Sequence, residues 1–226
     1  MVLISQNSSY ATRNNNSIYY IEREWNNIDK YFKLSNKVKQ EIDSDSFYRE
    51  IYGIGYKKVL AKFGFKPLSV DYDAKGNIYV CFFQESLVYK LNKEGNILKI
   101  YEEMGKIDTI YDIAIEGEMI WCVYPTSHTI KKFALQDGSL LKTISEGNIG
   151  DEFGSIFTYP EDITIKDNYL YVSDMGNKRI CSVNLITNEV KEYLKLKSNV
   201  FGFEKTDDME CIWLGNGCNM YLIDGL

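Results

Sequence analysis

The fold is decided by residues 159–194, YPEDITIKDNYLYVSDMGNKRICSVNLITNEVKEYL. This stretch contains four short segments of alternating, β-branched or aromatic residues, at 162–166, 169–173, 179–184 and 189–194. Turns rich in Asn, Asp and Gly separate them, a pattern typical of β-strands joined by hairpins. A single four-stranded meander cannot bury its own faces. The stretch therefore predicts neighbours of the same kind.

Apolar residues recur ten and twenty positions after an anchor in the second strand of each segment. The complete triplets are Ile18, Ile28, Val38; Ile78, Val88, Leu98; Ile120, Ile130, Leu140; and Leu170, Ile180, Val190. Near the C-terminus, Ile212 is followed by Leu222. The residue after each anchor is aromatic, which packing between repeats explains: Tyr19, Tyr79, Trp121, Tyr171 and Trp213. The chain is predicted to be a repeat protein.

The repeats predict one all-β domain over 1–226, a β-propeller of four-stranded antiparallel blades. Blades are expected at about 8–42, 67–101, 107–145 and 158–194, with a fifth at 199–226 that lacks a fourth strand. The apolar segment 2–5 is predicted to supply that strand and close the ring, which leaves no open sheet edge. Residues 44–66 are an insertion, with one helical turn expected at 47–52. A six-bladed ring with a degenerate blade within 39–66 is the alternative.

Composition excludes several classes of protein. The net charge of −6 over 226 residues argues against nucleic-acid binding. No apolar run is long enough to span a membrane, and the first residues lack the basic flank of a signal peptide. The five cysteines show no metal-type pairing, so reduced thiols and a cytoplasmic location are expected. Removal of a signal peptide would place the protein outside the cytoplasm instead.

Residues 146–194 resemble the NHL-repeat propellers. The pattern is carried by Phe153-Gly154, Pro160 and the run Asp174-Met175-Gly176-Asn177-Lys178-Arg179-Ile180. Phe63-Gly64 with Pro67 matches its beginning, and residues 215–219 are a looser match. In the second and third repeats, Phe82 and Tyr124 replace the aspartate. The resemblance implies a propeller, an architecture that hosts lyases, lactonases and pure binding proteins.

In a propeller, the loops between the second and third strands share one face with the linkers between blades. The ligand-binding candidates on this face are Trp25, Glu85, Tyr124, His128 and Asn177. By resemblance to gluconolactonase-like propellers, Asp174 and Asn216 are the candidate ligands of a divalent cation such as Ca²⁺. The alternative is that Asp and Asn only stabilise turns and that His128 is a solvated turn residue. Glu161 and Asp162 either face the channel mouth as a ligand or base, or are solvated.

Two functions follow. The first is a non-catalytic binding or scaffold propeller that presents an acidic, loop-lined face to a protein, peptide or small ligand. The alternative is a metal-dependent hydrolase or lyase of the gluconolactonase-like kind. Binding is favoured because no catalytic set converges, and because streptogramin-type lyases use several histidines where this chain has one. We expect a monomer with no required cofactor and no catalytic residue.

Overall fold

Five four-stranded antiparallel sheets make up the computed structural model of the chain. The structure describes residues 1–64, 69–82, 86–106, 108–144, 156–215 and 218–223. The strands within each sheet follow one another along the chain, except that the first strand joins the last sheet. This arrangement confirms the predicted propeller with five blades.

The strands are named in chain order. Blade 1 contains β2 (Ser8–Asn14), β3 (Ser17–Arg23), β4 (Asp29–Ser35) and β5 (Val38–Ile42). Blade 2 contains β6 (Ser69–Tyr72), β7 (Ile78–Cys81), β8 (Val88–Leu91) and β9 (Ile97–Tyr101). Blade 3 contains β10 (Asp112–Glu116), β11 (Met119–Tyr124), β12 (Thr129–Ala134) and β13 (Leu140–Ile144). Blade 4 contains β14 (Pro160–Lys166), β15 (Tyr169–Asp174), β16 (Arg179–Asn184) and β17 (Val190–Lys195). Blade 5 contains β18 (Val200–Lys205), β19 (Glu210–Leu214), β20 (Asn219–Ile223) and β1 (Val2–Ser5).

The ring closes through the N-terminal strand, as predicted. β1 pairs antiparallel with β20, with Val2 opposite Leu222 and Leu3 opposite Tyr221. Ile4 then packs against the apolar core shared by blades 5 and 1. The first strand therefore completes the last sheet and covers the edge of β20.

An apolar core lies at each junction between neighbouring blades. The anchors Ile18, Ile78, Ile120, Leu170 and Ile212 are all buried, and so are the four aromatic residues that follow the first four of them. Tyr171, for example, packs against Phe203 of the next blade, with 5.3 Å between ring centroids. The last position of the repeat behaves differently, because the fourth strand is the outer edge of its blade. Val38, Leu98 and Leu140 are accordingly exposed.

The insertion is a helical hairpin: the structure has a helix where a helical turn was predicted at 47–52, and it adds a longer first helix and a second one. Helix α1 (Ser44–Tyr52) is capped by Asp43, a 3₁₀ turn covers Gly53–Gly55, and α2 (Tyr56–Phe63) follows. The hairpin packs between blades 1 and 2, where Phe47 and Tyr52 are fully buried. At the turn, a Cβ on Gly55 would lie 2.0 Å from the backbone carbon of Glu94, so only glycine fits there. These helices rule out a degenerate sixth blade at 44–63.

A short helix, α3 (Glu102–Gly105), joins blades 2 and 3. None of the helices in the described ranges is long and apolar enough to cross a membrane. Four cysteines are buried free thiols, at positions 81, 122, 181 and 211, and Cys218 is an exposed free thiol.

Candidate functional site

One face of the propeller, here called the rim face, carries the loops between second and third strands and the segments that enter the innermost strands. These loops share a face because the strands of each blade alternate in direction. The described loops are 24–28 in blade 1, 125–128 in blade 3 and 175–178 in blade 4. Predicted residues Glu85 and Asn216 lie outside the described residues.

Asp174 fastens the rim loop of blade 4 to the segment that enters the same blade. Its side chain is fully buried, and Oδ1 accepts the backbone N–H of Thr158 at 2.7 Å. Oδ2 accepts Nδ2 of Asn177 at 2.9 Å and Nε of Arg179 at 2.7 Å. Both carboxylate oxygens are therefore engaged within the protein. The Asp-x-x-Asn-x-Arg motif works here as a structural clamp.

Glycine and arginine complete this clamp. The backbone N–H of Gly176 donates to the carbonyl oxygen of Thr158 at 2.8 Å, an approach that a Cβ at Gly176 would block. Nη2 of Arg179 donates to the carbonyl oxygen of Ile156 at 2.8 Å. The entry segment 156–159 is thus held by backbone and side-chain contacts together.

His128 and Tyr124 make equivalent fastenings around blade 3. His128 is buried, its Nδ1 accepts the backbone N–H of Tyr159 at 3.0 Å, and its ring packs edge-on against the Tyr159 ring. Tyr124 occupies the repeat position of Asp174, and its hydroxyl donates to the carbonyl oxygen of Met104 in α3 at 2.7 Å. Tyr124 is fully buried, so it offers no aromatic surface on the rim.

Trp25 stands apart from these buried residues because its side chain is 95% exposed. It lies in the loop between β3 and β4, which is a closed turn: Glu24 N–H donates to the carbonyl oxygen of Ile28, and Asn27 N–H to that of Glu24, both at 2.9 Å. An ion pair between Arg23 and Asp29, with Nε and Oδ1 2.8 Å apart, braces the base of the turn. The loop is well defined, although the indole makes almost no contact with the rest of the molecule.

A second feature is the central channel, which is surrounded by the innermost strands β2, β6, β10, β14 and β18. It encloses a cavity of about 40 Å³. A buried water needs roughly 10–15 Å³, so the cavity has room for about three waters. Its described lining includes four carboxyl groups and one basic side chain: Asp71, Asp112, Asp162, Glu204 and Arg13.

The channel side chains connect neighbouring blades. Asp112 Oδ2 accepts the backbone N–H of Ile163 at 2.6 Å, and Asp162 Oδ2 accepts that of Phe203 at 2.9 Å. Two further bonds of this kind join blades 2 and 3: Ile113 N–H donates to Ser69 Oγ at 3.1 Å, and Ile115 N–H donates to Asp71 Oδ2 at 2.6 Å.

Arg13 crosses the channel from blade 1. Its Nη1 donates to the carbonyl oxygens of Ile165 in blade 4, at 3.2 Å, and of Lys205 in blade 5, at 3.1 Å. Arg13 is the last channel-lining residue on β2, so it lies toward the end of the channel away from the rim face. This contact ties the first blade to the last two.

The enclosed carboxyl groups have altered acidity. Burial, reinforced by the Glu204 carboxylate, raises the pKa of Asp112 to about 8. Burial also raises the pKa of Glu204 to about 7, against the opposing effect of Arg13. Burial and the neighbouring carboxylates of Asp112 and Glu204 raise the pKa of Asp162. The channel is therefore a site where protons are held near neutral pH.

Glu161 and Tyr111 lie where the channel opens onto the rim face. Pro160 pairs with Asp174 and Asp162 with Ser173, so Glu161 is the extra residue of a β-bulge, a distortion that redirects a side chain. Burial raises the pKa of Glu161 to about 7. Burial and the carboxylates of Glu161 and Asp108 raise the pKa of Tyr111. The mouth therefore combines an acid with a phenol from the neighbouring blade.

Nothing in the described ranges brings three His, Cys, Asp or Glu side chains together in a position to hold a metal ion. The structure places the proposed metal ligand Asp174 in the clamp of blade 4, and Asn177 beside it as a hydrogen-bond donor. The predictions of a channel-mouth cation and of ligand binding at these residues stay predictions.

Sequence reasoning missed most of the channel. Asp162 is a candidate on sequence grounds, whereas Asp71, Asp112, Glu204 and Arg13 are not. A signal was present, because Ser69, Asp112 and Asp162 each stand directly before an apolar residue of the innermost strand, Val70, Ile113 and Ile163 respectively. Alternation along the strand does not by itself show that these residues face a channel, since a polar residue on a strand is expected to face solvent.

No family model matches this chain, and no curated protein matches it in sequence. Solved structures share its architecture. A streptogramin B lyase structure superposes with a TM-score of 0.53 at 16% identity, over 98% of this chain and 70% of that one. Virginiamycin B lyase from Staphylococcus aureus, substituted with selenomethionine, gives a TM-score of 0.50 at 14% identity, over 97% of this chain and 71% of that one.

The computationally designed Ika8 protein gives a TM-score of 0.50 at 10% identity, over 96% of this chain. The match covers 58% of the designed chain, so this chain spans little more than half of that protein's length. At such low identities these similarities show the fold alone. They confirm the propeller resemblance and leave the chemistry to be inferred from the residues of this chain: the protein is a β-propeller.

Proposed function

We propose that this chain is a non-catalytic binding propeller whose rim face holds a protein or peptide partner, with Trp25 as the anchor. The observation that carries the proposal is the 95% exposure of Trp25 on a closed turn. Tryptophan is the residue most enriched among those that dominate binding energy at protein interfaces. An indole left in water on a loop of fixed shape is the kind of side chain that a partner's apolar pocket covers.

The loop's geometry supports the proposal because it lowers the entropy that binding must overcome. Three contacts fix the loop: the two backbone hydrogen bonds within 24–28 and the N–H of Ile28 donating to Asn26 Oδ1 at 3.2 Å. Ion pairs of Arg23 with Asp29 and of Lys30 with Glu24 flank it. A loop that already has its bound shape loses little freedom on association. Ile28, also exposed, extends the apolar surface beside Trp25.

The other rim residues favour binding over catalysis. His128 Nδ1, the Tyr124 hydroxyl and both oxygens of Asp174 are engaged in contacts between protein segments. Such contacts stiffen the face and leave these atoms less available for chemistry. The metal-dependent hydrolase or lyase is therefore the weaker proposal, since its ligand Asp174 would have to give up Thr158 or Arg179.

The test is a selection of peptides from a random displayed library against the immobilised protein, followed by titration of the selected peptides. We expect Trp25→Ala to weaken binding of most selected peptides by 30-fold or more, because loss of such an anchor costs about 2 kcal/mol or more. The matched control is Ile186→Ala. Ile186 is 75% exposed in the turn between β16 and β17, on the face opposite the rim, and its loss should leave binding unchanged.

Two results would refute the proposal. One is a set of selected peptides that bind the Trp25→Ala variant as tightly as the native chain. The other is a loss of binding in Ile186→Ala that equals the loss in Trp25→Ala. Intact folding of both variants is checked by circular dichroism and thermal melting.

A further inference from the structure

The innermost strands bring four carboxyl groups into a cavity of about 40 Å³. We propose that this channel is a proton-operated lock: its carboxyl groups hold protons while the blades are tightly joined, and their deprotonation above neutral pH loosens the ring. The lock is separate from the rim face, so it does not depend on the proposed binding function.

The channel carboxyls hold the blades together. Asp112 joins blade 3 to blade 4 through Ile163, and Asp162 joins blade 4 to blade 5 through Phe203. Asp71 joins blade 2 to blade 3 through Ile115. Each bond uses one carboxyl oxygen and a backbone N–H of an innermost strand. A change in the charge of these groups therefore acts on the contacts that set blade spacing.

The described lining of the channel carries an excess of acidic groups. Within the described lining, four acids share the cavity with one guanidinium, that of Arg13. Nη1 of Arg13 donates to the carbonyl oxygens of Ile165 and Lys205, so it is directed to the backbone of blades 4 and 5. Even full pairing with Arg13 would leave three acids uncompensated. Like charges in an enclosed cavity repel one another strongly, so protonation is the available means of neutralisation.

Charged and titratable groups from several strands face the titrating acids. Asp112 faces Cys81 of β7, Cys122 of β11 and Glu204 of β18. Asp162 faces Asp112, Glu204 and Glu161, while Glu204 faces Arg13, Asp71 and Cys211 of β19. Burial raises the pKa of all three thiols, so they stay neutral near pH 7. Among these channel groups, the carboxyls are then the ones that change charge in this range.

The direction of the pH effect follows from proton binding. Burial raises the pKa of Asp112 to about 8 and that of Glu204 to about 7, whereas carboxyls of an unfolded chain titrate near 4. Between these values the folded state binds more protons than the unfolded state. Stability is therefore highest at the acidic end of this window and falls as the pH rises toward 8. Asp73 and Asp137 make stability rise with pH, but only below about pH 4, since hydrogen bonds lower their pKa values.

The experiment measures the melting temperature of the native chain at pH 6, 7 and 8 in the presence of EDTA. One extra proton on the folded state across this range lowers the melting temperature by about 5–10 °C from pH 6 to pH 8. In Asp112→Asn we expect a smaller fall, because one titrating carboxyl is gone while Glu204 and Asp162 remain. The amide oxygen still accepts the Ile163 N–H, so this variant keeps the contact between blades and folds.

Glu118→Gln is the matched control, because Glu118 is an exposed carboxylate in the turn between β10 and β11. The melting temperature of Glu118→Gln should fall from pH 6 to pH 8 as much as that of the native chain. A melting temperature that stays level or rises from pH 6 to pH 8 would overturn the proposal. Equal slopes in Asp112→Asn and Glu118→Gln would overturn it as well. So would a fall seen only with EDTA and absent without it, since a bound cation would then neutralise the channel in place of protons.

Discussion

Oδ1 of Asp174 accepts the backbone N–H of Thr158 at 2.7 Å, which binds the end of β15 to the segment that enters blade 4. Oδ2 of the same carboxylate accepts a hydrogen bond from Nε of Arg179. One buried side chain thus satisfies a backbone donor and a guanidinium at once. Because both contacts lie under the rim face, they determine how the entry segment 156–159 sits against the loop 175–178.

Asp174→Ala is expected to destabilise the protein by about 3–5 kcal/mol. Its removal leaves Arg179 without its nearest carboxylate, with only Glu192 at 3.9 Å, and leaves the Thr158 N–H without its acceptor. Breaking a partly buried ion pair in this way costs about that much. Urea unfolding at pH 7 measures the change. Asp137→Ala, which removes an exposed turn carboxylate, is the control and should cost about 1 kcal/mol or less.

The same variant separates a structural role from metal binding at Asp174. If Asp174 acts only in the clamp, adding Ca²⁺ should leave the melting temperature of the native chain unchanged. A Ca²⁺-dependent rise that disappears in Asp174→Ala would contradict the structural role and favour the metal-dependent alternative, because a ligand that binds only the folded state raises its stability.

Deleting residues 1–6 is expected to lower stability by about 3 kcal/mol, a fall in melting temperature of about 6–12 °C. The deletion removes the backbone pairing of β1 with β20 and the contact of Ile4 with the core between blades 5 and 1. Thermal melting measures the effect. Val2→Thr keeps the strand pairing and should melt within about 1 °C of the native chain.

A melting temperature unaffected by the deletion would show that the ring holds without its closing strand. The deleted chain should also associate at lower concentration, because the uncovered edge of β20 is a template for pairing with another chain. Sedimentation of both chains at matched concentrations tests this second consequence.

The repeat pattern in the sequence was sufficient to predict the blades and the closure. Trp121, in the core between blades 3 and 4, illustrates why: the aromatic residue after the anchor is buried between blades in four of the five repeats. Tyr124 shows the limit. The pattern placed it on a rim loop, but it is buried under α3, and the sequence did not predict that helix. A rim position in the repeat does not determine which segment will cover it.

The residues that line the channel could not be predicted from the sequence, for a related reason. Asp112 is the first residue of β10 and Asp162 the third of β14. Alternation along a strand does not distinguish a side chain that faces a channel from one that faces bulk solvent. The role of Arg13 could not be predicted either, since its partners Ile165 and Lys205 lie more than 150 positions away in the chain. Such pairings exist only once the ring has closed.

The helical hairpin between blades 1 and 2 is the part of the fold that departs most from the repeat, and Phe47 tests its contribution. Phe47 is fully buried on α1, and its ring centroid lies 5.1 Å from that of Tyr31 in β4 and 6.2 Å from that of Tyr19 in β3. Phe47→Ala is expected to destabilise the protein by about 3–5 kcal/mol, because it leaves a cavity among these aromatic rings.

The control is Ile54→Ala, in the 3₁₀ turn of the same hairpin, where the side chain is 67% exposed and should contribute within about 0.5 kcal/mol. Urea unfolding of both variants gives the comparison. Equal stabilities would mean that the hairpin rests on the propeller without supporting it. A large loss for Phe47→Ala alone would mean that the junction of blades 1 and 2 depends on the helices, so that the insertion serves as part of the ring's core.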